Sequence, residues 1–152
     1  ADPAAASRGF AWMMSMALAG KFLFGFLADR INQRVVLLAN LADMLIGAAL
    51  LASMDAGLTF AATTLFGLGW GGLFTLIQIQ AINHFGLTHA GKILGVITLI
   101  DASAGGLGAW LTNQLFAREQ SYALSYQLMV VLMGVALAAA FAVRRPRRAN
   151  QS

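Results

Sequence analysis

Long apolar runs separated by short polar breaks dominate the chain. Five runs stand out: Phe10–Ala28, Val35–Met54, Leu58–Ile82, Ile93–Phe116 and Tyr122–Val143. Each is near or above the ~20 residues that a helix needs to cross the hydrocarbon core of a bilayer. None alternates polar and apolar residues, as the shorter strands of a membrane barrel would. In lipid every backbone N–H and C=O must be satisfied within its own segment, so the runs predict five transmembrane helices. The connections are short: Asp29–Arg34, Asp55–Gly57, Asn83–Lys92 and Ala117–Ser121. None has room for a soluble domain.

Composition agrees. Of the 152 residues, 59% are hydrophobic and 11% charged, against about 25% charged in a soluble domain. The deficit points to lipid as the solvent. There is no cysteine, and the two histidines lie far from carboxylates. Disulfides and thiolate metal sites are therefore excluded, and no metal or other cofactor is expected. No nucleophile setting or metal-ligand spacing suggests an enzyme.

Charge gives the orientation. Successive loops alternate sides, which places Arg30, Arg34, Lys92, Arg144, Arg145, Arg147 and Arg148 together and only Arg8 and Arg118 opposite. The positive-inside rule makes the first set cytoplasmic. The run Arg144–Arg148, broken by Pro146, then reads as a cytoplasmic tail over 144–152 that meets anionic lipid, and no nucleic-acid partner is expected. The segment Ala11–Gly20 has the look of a signal-peptide core. However, the apolar run continues to Ala28 and is followed by a basic loop, as a true span requires. The chain starts without methionine and has an odd number of spans, so it is expected to be a piece of a longer protein.

The stretch Gly25–Arg34, GFLADRINQR, resembles the loop motif of the major facilitator superfamily, which is Gly, three residues, Asp, Arg or Lys, then Gly and a basic pair. Gly25, Asp29, Arg30 and Arg34 match, whereas Asn32 stands where the family prefers Gly and Val35 replaces the last basic residue. This weaker form is usual in the second half of such transporters. The resemblance implies that the spans are helices eight to twelve of the family, most of its C-terminal six-helix half, with the preceding helices as partners. Leu65–Gly86, Gly91–Phe116 and Ser121–Val143 look like its tenth, eleventh and twelfth helices. The wording comes closest to the monocarboxylate-transporter-like and oxalate/formate-antiporter-like branch. That branch implies transport of a small organic anion, coupled to protons, across a bacterial inner membrane.

The candidate site residues follow. Lys21 lies about 12 Å along a helix from Asp29, at about 1.5 Å per residue. An isolated charge at that depth costs at least ~2.5–3.5 kcal/mol and usually faces a cavity or a partner. The resemblance implies that Lys21 holds a substrate carboxylate; the alternative is a stem that snorkels to the interface. Asp101 sits mid-span before Gly105, Gly106 and Gly108 and is the candidate proton acceptor and partner of Lys21; the alternative is a structural hydrogen bond. Trp70, within Gly67–Gly72, and Gln78 are candidate substrate-pathway residues. The glycines there either let a cavity helix flex or pack a Gly67/Gly71 face. The resemblance implies that Gly25, Asp29, Arg30 and Arg34 form a gate, Asp29 facing the helix start near Gly91 and Lys92; the alternative is a polar turn anchoring two spans. Asp43, with Asn40 nearby, is expected to be structural. The competing functional reading is a non-transporting membrane protein or helper subunit that packs against other helices.

Overall fold

The computed structural model describes residues 3–86 and 88–142. The described residues form five helices: α1 (Pro3–Arg30), α2 (Gln33–Ala52), α3 (Thr59–Phe85), α4 (Ala90–Glu119) and α5 (Ala123–Ala142). All five are long and apolar enough to cross a membrane, and no strand occurs among the described residues. This is an all-α architecture compatible with an integral membrane protein. The basic run Arg144–Arg148 lies outside the described residues.

Helix ends differ from the apolar runs by a few residues, because local chemistry rather than hydropathy sets them. α1 extends back to Pro3, since a proline in the first turn loses no hydrogen bond. Between α1 and α2 the Asn32 side chain accepts from the Arg34 amide and caps the new helix. Met54, inside the second apolar run, lies in the turn with φ 56°. There Asp55 Oδ1 accepts from the Gly57 amide at 2.8 Å. α4 runs on through Ala117, Arg118 and Glu119, all residues of good or moderate helix propensity, and stops at Gln120 in the left-handed conformation.

α3 is the central element and packs against both α1 and α2. α1 and α3 run in the same direction, because Trp12 meets Thr64, Met13 meets Gly67 and Ala17 meets Gly71. α2 is antiparallel to α3, because Gly47 meets Phe66, Asp43 meets Gly69 and Asn40 meets Gly72. α5 packs on α2, while α4 touches α3 and α5 only lightly.

Small residues make the α3 contacts possible. A side chain at Gly71 would run into the carbonyl of Ala17, and one at Gly67 would sit 2.7 Å from the carbonyl of Met13. The Gly67/Gly71 spacing is therefore a packing face for α1, the means by which membrane helices approach closely. A small apolar cluster of Phe24, Ala28, Val36 and Leu76 closes the three-helix junction near the α1–α2 turn. Elsewhere large apolar side chains point outward, Leu99, Leu107 and Val135 among them. No described residue of α4 or α5 is buried. An apolar exterior on this scale suits lipid as solvent.

Candidate functional site

An open cleft of about 390 Å³ is lined by Met14, Ala17, Leu18, Lys21, Trp70, Gly71, Phe74 and Asp101. It therefore draws on α1, α3 and α4. Three of the four residues singled out as substrate-facing in the sequence, Lys21, Trp70 and Asp101, line this one space. The fourth, Gln78, lines an adjoining pocket of about 60 Å³ between α3 and α4, with Trp70, Phe74, Thr98 and Asp101 again in its wall. Gln78 and Trp70 lie two turns apart on α3, so one face of the helix presents both.

The Lys21 ammonium lies 5.2 Å from the centre of the Phe74 ring. The ring face is the negative side of the aromatic quadrupole and holds a cation weakly. Lys21 is thus turned into the cleft at its own depth, and its stem does not reach along the helix toward Arg30. No ion pair within 4.0 Å joins Lys21 to Asp101. The two opposite charges face one space without neutralising each other. The wall between them is apolar and aromatic, so a charge entering it would meet little competing solvent from the protein side.

The motif residues lie away from the cleft lining. Gly25 approaches α3, where a Cβ would meet Thr75 at 3.5 Å. The Arg30 guanidinium lies 4.2 Å from the centre of the Phe26 ring one turn back. Arg34 donates from Nη2 to the carbonyl oxygen of Phe141 at 2.8 Å, tying the α1–α2 turn to the end of α5. Asp29 is exposed. The contact between Asp29 and the start of α4 that the family resemblance implies is not made in this arrangement, because α1 and α4 make no close backbone contact.

Two contacts between helices lie outside the cleft lining, and of their residues Trp12 and Thr64 were not singled out in the sequence. Trp12 donates from Nε1 to Thr64 Oγ1 at 2.9 Å and stacks on Phe60 with ring centres 4.7 Å apart. Asn40 is wholly buried and donates to the carbonyl of Gly69 at 2.9 Å. The signal for Asn40 was present, since an amide inside an apolar run must find a partner. Trp12 and Thr64 carried no comparable signal, because each is an ordinary residue near a span end.

Among the described residues no three His, Asp or Glu side chains cluster as metal ligands. No protein-family model, curated protein or solved structure matches the chain.

Proposed function

We propose that the chain is the C-terminal part of a secondary transporter of the major-facilitator type, which moves a small organic anion by alternating access with protons as the coupling ion. One observation carries this reading: Lys21, Trp70 and Asp101, from three different helices, line a single cleft between apolar walls. A lysine is expensive within a span unless it serves a cavity, and the cleft is that cavity. Lys21 attracts the anion, Trp70 and Phe74 flank its apolar body, and Asp101 takes and returns the proton. Substrate sites of such transporters lie near mid-membrane between two halves that rock against each other. The helices that complete the site would come from the remainder of the same protein, in an inner membrane with the C-terminus cytoplasmic.

The test is uptake of labelled monocarboxylates by liposomes that contain the full-length protein. Lys21→Ala should abolish uptake while insertion stays normal. Undiminished uptake by that variant would refute the anion site.

A second reading is favoured by α4, none of whose described residues is buried. In that reading the chain is a helper subunit or truncated, non-transporting protein, and α4 packs against helices of a partner. Co-purification of a stoichiometric membrane partner, with no uptake by either alone, would support it.

A further inference from the structure

The seam between α2 and α3 holds a polar arrangement that the cleft does not use. Asn40 is wholly buried. Its Nδ2 donates to the Gly69 carbonyl oxygen, but its Oδ1 has no partner. Asp43 Oδ2 is buried without a partner as well. Residues three apart share a helix face, so both oxygens open on the same strip of α2. Opposite them α3 presents bare backbone. A Cβ at Gly69 would lie 3.1 Å from Asp43 Oδ2, and one at Gly72 would lie 2.6 Å from Asn40 Nδ2. Mid-helix backbone N–H groups are already committed to carbonyls four residues back. The seam therefore holds two acceptors that no donor among the described residues reaches.

Buried acceptors without donors are rare. Nothing charged comes to their aid. α3 carries no Asp, Glu, Lys or Arg, and its single histidine, His84, stands about 22 Å further along the axis than Gly69 at about 1.5 Å per residue. α5, which packs on α2, carries only Tyr126. α1 brings Arg8, Asp29 and Arg30 near its ends, while its Lys21 rests over Phe74 on the cleft side. On α2 itself the one other charge is Arg34, which is bound to Phe141. A hard cation is a poor fit, because ions such as Ca²⁺ take about six to eight oxygens. A proton fits: it converts a carboxylate oxygen from acceptor to donor and needs no added space.

We propose that the α2–α3 seam is a proton-binding site, with the proton on the Asp43 carboxyl and Asn40 Oδ1 as the acceptor it serves. The site is separate from the Lys21–Asp101 cleft and does not depend on the transport reading. With the proton in place the seam is neutral and the helices pack on their glycines. Without it a carboxylate faces helix backbone with no donor and no counter-charge, and α2 is driven away from α3.

Infrared spectroscopy of the full-length protein in liposomes, at neutral pH and free of sodium, reads the proton directly. The wild type should show the carbonyl-stretch band of a protonated carboxylic acid, moving to lower frequency in D₂O. Asp43→Asn should remove that band, Asp101→Asn should leave it, and Asn40→Leu should shift it to higher frequency by taking away its hydrogen bond. Should Asp43→Asn fail to insert, the Asn40→Leu shift decides, and an unmoved band overturns the proposal. It is also overturned if the wild type lacks the band, if Asp101→Asn removes it, or if adding sodium abolishes it, since a bound metal ion would then fill the seam.

Discussion

Arg34 and Phe141 are 107 residues apart in the chain, yet the guanidinium of one donates to the backbone carbonyl of the other at 2.8 Å. The last carbonyls of a helix have no partner within it, and a cation there also complements the helix dipole. Arg34 thus fastens the end of α5 to the turn between α1 and α2. Arg34→Ala should cost about 1 kcal/mol, the usual net value of one such bond. Thermal unfolding in detergent should show a lower midpoint, with Arg34→Lys intermediate, because an ammonium has the charge without the fork.

The α1–α3 contact makes a sharper forecast. Gly71→Ala places a methyl against the Ala17 carbonyl, and overpacking of this kind costs about 1–3 kcal/mol. Gly105→Ala is the control, because nothing lies within 4 Å of the position a Cβ would take there. The first variant should lose resistance to heat or denaturing detergent, and the second should match the wild type. Equal behaviour of the two would mean that α1 and α3 do not meet at Gly71.

Trp12 and Thr64 suit a double-mutant cycle. Trp12→Phe keeps a ring to stack on Phe60 but loses the donor, and Thr64→Val loses the acceptor. The coupling should be about 0.6 kcal/mol, the average for hydrogen bonds between membrane helices. A coupling of zero would leave the Trp12–Phe60 stack as the whole contact.

Asp101 separates proton coupling from anion binding. Under the transport reading, Asp101→Asn should abolish uptake driven by a pH gradient yet preserve exchange of anion for anion, since Lys21 is untouched. Loss of both together would make Asp101 part of the anion site or of the fold, and not the coupling group.

The sequence made the helices legible because span length and hydropathy are local properties. The interface glycines were half legible. Gly67 and Gly71 have the spacing of a packing face, but only the position of Ala17 decides between packing and flexing. Lys21 and Asp101 could be named as cavity residues from the cost of charge in lipid, a rule that needs no partner. The Arg34–Phe141 bond was not legible, because backbone carbonyls are identical everywhere and no pattern marks the one that will be used. The helical stretch Pro3–Gly9 was missed for the opposite reason: its three alanines favour helix, but the stretch is not apolar enough to register as a span.

α1, α2 and α3 follow one another along the chain and hold one another by direct contact, while no described residue of α4 or α5 is itself buried. Chains are made from the N-terminal side, and the earlier part folds first. The three-helix unit can therefore settle in the bilayer before α4 leaves the ribosome. Asp101 would arrive last, at a wall that already contains Lys21 and Trp70. The cleft would then be completed as a step in biosynthesis, and a chain halted before Ala90 would keep its buried core but lose the acid, the α5 packing on α2 and the Arg34–Phe141 bond.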